Sequence, residues 1–108
     1  MSANERIVNI RIEPCTVYIG RHKDGKHWGY GNPFVVGVHG NRRQVIEYCR
    51  EWLLTGNGRG NCYATEKNRQ WILDNLEALR GQILGCFCYP QECHGEIYIE
   101  LLKAKDKI

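Results

Sequence analysis

Residues 81–103 read GQILGCFCYPQECHGEIYIELLK, and this stretch decides the fold. Residues 82–88 predict a buried strand, and the loop at residues 89–91 leads into a helix near residues 92–104. The core face of that helix is formed by Ile97, Tyr98, Leu101 and Leu102. Because helical patterns also precede the strand, an α-to-β-to-α passage is expected at this end of the chain, which favours an α/β fold.

Working outward, two helices precede this strand. Asn41 is a plausible N-cap for a helix over residues 42–54. Thr65 caps a second helix, which ends at Arg80-Gly81, where glycine takes the left-handed position after the last turn. The buried stripe of this second helix is Ile72, Leu73, Leu76 and Leu79.

The N-terminal third predicts short strands. Residues 7–12 alternate in polarity, residues 17–19 form a second strand, and residues 34–38 form a weak third one. The resulting order, β-β-(β)-α-α-β-α, predicts a small three-layer α/β sandwich with a mostly parallel sheet and three main helices.

The composition is that of one small domain. The chain has 108 residues and a net charge of +3, so we expect a single domain over residues 1–108 with frayed ends at about 1–5 and 104–108. Its basic residues are scattered, so nucleic acid is not expected as the main partner. No apolar run is long enough to span a membrane and no signal peptide is visible. A cytoplasmic protein is expected, in a host cell if the chain is viral; self-association stays open.

The chemistry of the chain is concentrated in the spacing Cys86-x-Cys88-x4-Cys93-His94. Residues two apart on a strand face the same side, so Cys86 and Cys88 can converge. Cys93 and His94 return at the start of the next helix. This places the cluster at the carboxyl end of a strand, where open α/β sheets bind ligands.

Three interpretations of the cluster stay open. In the first, Cys86, Cys88, Cys93 and His94 hold zinc or iron, although CxxC pairs are commoner than CxC in zinc sites and adjacent ligands reach one ion with difficulty. In the second, the loop is nucleophilic or binds an anion. Cys93 is then a thiol near a helix N-terminus with His94 as its acid or base, or the N–H groups around Cys93, His94 and Gly95 hold a phosphate or carboxylate, which Gly95 lets approach closely. In the third, Cys86 simply packs in the core.

A second candidate wall comes from the N-terminal half. Tyr18 lies in a strand that ends at Gly20-Arg21, and Arg21 is suited to pair with a phosphate or carboxylate. The aromatic turn over residues 28–34 follows. There Trp28 or Tyr30 can stack on a flat ring, and Gly31-Asn32 can read a polar edge or brace the turn.

Three pieces of the sequence together resemble one family. They are Tyr18-Ile19-Gly20-Arg21, then Gly31-Asn32-Pro33-Phe34, then Leu79-Arg80-Gly81 followed by Cys86-Phe87-Cys88 and Cys93-His94-Gly95-Glu96. The chain resembles the domain-of-unknown-function family numbered 4326 over about residues 7–103, with members among small phage and bacterial proteins. The family's turn usually has tryptophan directly before Gly-Asn-Pro-Phe, where this chain has Tyr30. The resemblance implies a shared fold and pocket and supplies no activity.

The sequence therefore predicts a pocket for a small, phosphorylated or nucleotide-like ligand. Its expected ligand-binding residues are Tyr18, Arg21, Tyr30, Gly31, Asn32 and Gly95, with Cys93 and His94 as the groups for a transfer or hydrolysis step. The two walls meet if the strands at residues 17–19 and 82–88 are neighbours in the sheet. The rival hypothesis is a metal-stapled structural or interaction module.

Overall fold

A computed structural model describes residues 5–20, 29–87 and 91–106 of the chain. Its strands are β1 (Arg6–Asn9), β2 (Val17–Tyr18) and β3 (Ile83–Cys86). Its α-helices are α1 (Arg42–Thr55), α2 (Glu66–Asp74) and α3 (Gly95–Asp106), with a 3₁₀ helix at Leu76–Leu79. Within these ranges, no helix is both long and apolar enough to cross a membrane.

The three strands form one sheet in the order β1-β3-β2, and both pairings are parallel. Asn9 lies opposite Cys86, and Tyr18 lies opposite Gly85. The predicted α/β class, with a parallel sheet and three helices, is confirmed. The condition under which the two walls meet is also fulfilled, because β2 pairs with β3 and their carboxyl ends are adjacent.

The connection between β1 and β2 crosses over the central strand without a helix. Residues 10–16 carry the chain from one side of β3 to the other, and this crossing begins where the Asn9 carbonyl accepts hydrogen bonds from the N–H groups of Ile12 and Glu13. A Cβ at Gly85 would stand 2.5 Å from Ile10 Cγ2 and would overlap Cys15 Sγ. The two outer layers are therefore unequal, because this segment covers β3 at Gly85 while the helices pack against Leu84 and Cys86.

Helix α1 forms as the sequence predicts. The Asn41 side chain accepts from the Gln44 N–H, the Gln44 side chain accepts from the Asn41 N–H, and Gly56 ends the helix at φ 84°. Such a capping box satisfies two N–H groups that the helix itself leaves without partners. The buried face is Val45, Ile46, Cys49, Trp52 and Leu53.

The second predicted helix is divided in two at Asn75. Thr65 caps α2 as expected, and Gly81 has φ 75°. Between them, the Asn75 amide donates to the Trp71 carbonyl, and the Asn75 carbonyl accepts from the Tyr30 hydroxyl at 2.7 Å. The bond from Tyr30 comes from outside the helix, and the bond to Trp71 comes from a side chain. Both coincide with the change from α to 3₁₀ geometry.

The predicted strand over residues 34–38 is wrong, because this segment is a turn with a single bridge between Val36 and Gly40. The Val35 N–H donates to His39 Nδ1, and the Val35 carbonyl accepts from the N–H groups of Val38 and His39. Its backbone groups are therefore satisfied locally and need no neighbouring strand. Phe34, at the start of this segment, is buried.

Candidate functional site

A cavity of about 310 Å³ lies at the carboxyl ends of β2 and β3. The first turns of α1, the turn after residue 29 and the segment before α3 complete its walls. It is lined by Tyr18, Gly20, Asn32, Phe34, Val36, Arg42, Val45, Ile46, Cys86, Phe87, Glu92, Cys93 and His94. Of the residues that the sequence singles out, the cavity brings together Tyr18, Asn32, Cys86, Cys93 and His94.

One side of the cavity is formed by Cys86, Cys93 and His94, which we call the thiol wall. All three residues are buried in the fold, and the two sulfur atoms lie 3.2 Å apart. Cys93 Sγ also accepts from the Gly95 N–H at 3.4 Å and lies 3.8 Å from His94 Nδ1. The wall therefore holds two reduced thiols and an imidazole in mutual contact.

Hydrogen bonds at Nε2, the ring nitrogen that does not face Cys93, fix the orientation of the His94 ring. Its Nε2 lies 2.8 Å from the Ile19 carbonyl oxygen and 2.9 Å from the Tyr30 carbonyl oxygen. Carbonyl oxygens only accept, so Nε2 carries the hydrogen and donates to both. In the neutral ring the lone pair is then on Nδ1, which faces Cys93 Sγ and can accept its proton.

The opposite side is the anchoring turn, residues 30–34. The Asn32 Nδ2 donates to the Val45 carbonyl at 3.2 Å, and its Oδ1 accepts from the Phe34 N–H at 2.9 Å. Asn32 is only 7% exposed. Its side chain lines the cavity but braces the turn against α1, which is the second of the two roles that the sequence leaves open for it.

Tyr30 and Gly31 are buried, and neither is among the described residues that line the cavity. The Tyr30 hydroxyl donates to Asn75, and its carbonyl accepts from His94 and, at 2.5 Å, from the Tyr98 hydroxyl. Burial raises the pKa of Tyr30 and raises that of Tyr98 well above its ordinary value. Tyr30 thus holds the thiol wall in place through its backbone.

Gly95 is buried where α3 meets the sheet. A Cβ there would lie 2.5 Å from Ile19 Cδ1 and 3.2 Å from Ile7 Cδ1. The lack of a side chain therefore serves the close approach of the helix to the strands, and its N–H is directed at Cys93 Sγ. The ligand-binding role predicted for Gly95 is not among these contacts.

Arg21 and Cys88, two predicted site residues, lie outside the described residues, as does Trp28. Among the residues that are described, no group of three or more His, Cys, Asp or Glu side chains is placed to hold a metal ion. In a tetrahedral site with Zn–S bonds of about 2.3 Å, two sulfurs stand about 3.8 Å apart. The Cys86 and Cys93 sulfurs are closer than that.

Sequence reasoning missed Arg42, Phe87 and Glu92 as site residues, and all three line the cavity. Arg42 Nη1 lies 3.5 Å from the Glu92 carbonyl oxygen, and the Phe87 ring carries the Arg11 guanidinium 5.0 Å from its centre. The Asn41 cap already predicted Arg42 in the first helical turn. Its place at the cavity depends on how α1 packs against the sheet, which no local pattern encodes.

The family model described as "Domain of unknown function (DUF4326)" matches residues 4–104, nearly the whole chain. The chain belongs to this family, as the three quoted motifs predicted. No curated protein and no solved structure matches it.

Proposed function

We propose that this protein binds a small, phosphorylated or nucleotide-like molecule in the cavity at the carboxyl ends of β2 and β3. One observation carries the proposal: the cavity joins Tyr18 and Asn32 from one half of the chain with Cys93 and His94 from the other. In open parallel sheets, ligands bind outside the carboxyl ends of the strands.

The size and lining of the cavity suit a compact ligand with a flat or apolar part. Its volume of about 310 Å³ lies at the lower end of the range typical of small-molecule sites. Phe34, Val45 and Ile46 supply apolar surface, and the rings of Tyr18 and Phe87 meet edge to face with centres 6.1 Å apart. A ring of the ligand would gain contact area against these side chains.

The charge at the mouth favours an anionic group on that ligand. Arg42 lies in the lining at the N-terminal turn of α1, and Arg11 stacks on Phe87 beside it. A guanidinium presents paired N–H donors that match phosphate oxygens, and the helix dipole adds positive potential at the same end. The lining also contains the acidic Glu92, so the positive potential is confined to this part of the cavity and does not extend over a broad basic surface.

The test is a thermal-shift screen against nucleotides and sugar phosphates. A ligand present at about 100 times its Kd stabilises the folded state by about 2.7 kcal/mol, a rise in Tm of roughly 10 °C for a domain of this size. Arg42→Gln should reduce the rise. Lys67→Gln is the control, because it removes the same charge from an exposed position of α2 that lies outside the lining. No response to any compound, with Arg21→Ala also without effect, would overturn the proposal.

A transfer or hydrolysis step on the ligand would use Cys93 as the nucleophile and His94 as the acid or base. The supporting geometry is the 3.8 Å approach of His94 Nδ1 to Cys93 Sγ. Alkylation by iodoacetamide separates this thiol from Cys49, whose pKa burial raises to about 12. Cys93 should react faster in the folded protein, and equal rates would remove the nucleophilic role.

The rival proposal is a metal-stapled module with Cys86, Cys88, Cys93 and His94 as ligands. It draws on the same convergence of the Cys86 and Cys93 sulfurs and His94 Nδ1. Elemental analysis of protein purified without chelator decides the matter. About one equivalent of zinc or iron per chain would support the module. Folded protein without metal would exclude it.

A further inference from the structure

The two thiols of the thiol wall lie close enough to react with each other. Cys86 Sγ and Cys93 Sγ are 3.2 Å apart. A disulfide bond is about 2.05 Å long, so an approach of about 1.1 Å would join them. Both residues line the cavity, which gives a small reagent a path to sulfur atoms that are otherwise buried.

We propose that Cys86 and Cys93 form a reversible oxidation site, in which a small hydroperoxide entering the cavity converts the two thiols into an intramolecular disulfide. This inference does not depend on the proposed ligand, since it needs only the peroxide, the two cysteines and His94.

Cys93 is the sulfur that reacts first. The Gly95 N–H donates to it at 3.4 Å, and His94 Nδ1 lies 3.8 Å away with its lone pair directed at the thiol. A donor hydrogen bond and a neighbouring base both favour the thiolate, which is the nucleophilic form. The His94 ring cannot turn without giving up its hydrogen bonds to the Ile19 and Tyr30 carbonyls.

The chemistry balances in two steps. The Cys93 sulfur attacks one oxygen of hydrogen peroxide, the O–O bond breaks, and the thiol proton passes through His94 Nδ1 to the departing oxygen. This releases one water and leaves a sulfenic acid on Cys93. The Cys86 sulfur then attacks the Cys93 sulfur, the S–O bond breaks, and the hydroxyl leaves with the Cys86 proton as a second water. A dithiol reductant reverses the result by thiol–disulfide exchange.

The position of the pair limits which other cysteines compete. Cys86 ends the central strand β3, and Cys93 comes just before α3, so the short segment 87–92 closes the loop between them. Cys49 is buried in the α1 face of the core, where burial raises its pKa to about 12 and suppresses its thiolate. Cys62 is exposed in the loop before α2 and serves as an internal control for unselective oxidation.

The experiment is oxidation of the folded protein by hydrogen peroxide, followed by alkylation and mass analysis. Trypsin cannot separate the candidate thiols, because the peptide from Gly81 to Lys103 contains Cys86, Cys88 and Cys93 together. The pairing is therefore assigned with variants. After oxidation, the mass of this peptide from wild type and from Cys88→Ser should each fall by two hydrogen atoms, and dithiothreitol should restore the original mass.

The order of attack is tested by the remaining variants. Cys86→Ser should gain one oxygen on Cys93, trapped by dimedone, because the second thiol is missing. Cys93→Ser should show neither change. Failure of Cys88→Ser to form the bond, or formation of a disulfide in Cys93→Ser, would overturn the proposal. Since wild type and Cys88→Ser keep both proposed thiols, the inference stays testable even if a variant at Cys86 or Cys93 does not fold.

Discussion

The two sides of the cavity use their polar atoms in opposite ways. In the anchoring turn, the Asn32 amide and the Tyr30 carbonyl bond to Phe34 within the turn and to Val45, His94 and Tyr98 outside it. In the thiol wall, the sulfur atoms of Cys86 and Cys93 lie against each other and line the cavity. The difference teaches that the anchoring turn holds the geometry while the thiol wall presents its thiols and imidazole to the cavity. The sequence, in contrast, predicts ligand binding for Tyr30 and Asn32 and catalysis for Cys93 and His94.

The two sides are also joined directly. The Tyr30 carbonyl accepts from both His94 Nε2 and the Tyr98 hydroxyl, so the turn fixes the ring that faces Cys93. A substitution in the anchoring turn should therefore lower the free energy of unfolding. It should lower thiol reactivity only because the turn positions His94. A defect in the thiol wall should remove reactivity and leave the fold nearly intact.

The largest effect on stability is expected for Asn32→Ala. The change leaves the buried Phe34 N–H without its partner and removes a second hydrogen bond to the Val45 carbonyl, at a cost of about 2–3 kcal/mol in the free energy of unfolding. Urea denaturation measures it. Asn57→Ala is the control, because Asn57 Oδ1 accepts from the N–H two residues ahead in the same way but in an exposed loop. Equal losses in the two variants would mean that Asn32 does not brace the turn.

Next in size is Tyr98→Phe, which removes the hydroxyl that donates to the Tyr30 carbonyl. Because His94 still donates to that carbonyl, we expect a loss of about 1 kcal/mol at neutral pH. A loss as large as that of Asn32→Ala would show that the link between the two sides, rather than the turn itself, holds the cavity.

The same tyrosine predicts a dependence on alkaline pH. Burial raises the pKa of Tyr98 well above its ordinary value, so in the unfolded chain it loses its proton at a lower pH than in the folded one. Its contribution to stability is complete below about pH 10 and declines as the pH rises above that value. Thermal unfolding between neutral and alkaline pH should show a steeper fall for wild type than for Tyr98→Phe. Parallel curves would contradict the burial of this hydroxyl.

For Cys93→Ala we expect a loss of stability no larger than that of Tyr98→Phe, about 1 kcal/mol, since the change removes a single buried sulfur atom. Reactivity toward peroxide and iodoacetamide at this position is lost with it. Urea denaturation and alkylation on the same preparation give both numbers. If Cys93→Ala destabilised the fold more than Asn32→Ala, it would be wrong to assign stability to the anchoring turn and reactivity to the thiol wall.

Much of the fold was predictable because its signals are local. The Asn41 and Thr65 caps, the apolar face of α1 and Gly81 each act within a few residues of themselves. The break at Asn75 was not predictable, since it coincides with a hydrogen bond from Tyr30, 45 residues away. The turn at residues 34–38 was mistaken for a strand because valines mark strands only when a neighbouring strand edge is present.

The candidate site was predictable in part for a similar reason. Cys93 and His94 stand out by residue type and spacing, and the parallel pairing of β2 with β3 brings Tyr18 near them. From the sequence alone, a glycine at position 95 looks the same whether it makes room for a ligand or for a neighbouring strand. Only the position of Ile19 beneath it distinguishes the two. Arg42 carried no signal beyond its charge.

The most direct test of the cavity is an amide NMR titration with the compound that gives the largest thermal shift in the screen. Chemical-shift changes should cluster at the amides of Gly20, Phe87 and Cys93, which lie on three of the segments that line the cavity. The exposed face near Glu77 and Arg80, which pair with each other there, should stay unchanged. Changes centred on that face, with none at the cavity, would contradict a ligand site at the carboxyl ends of β2 and β3.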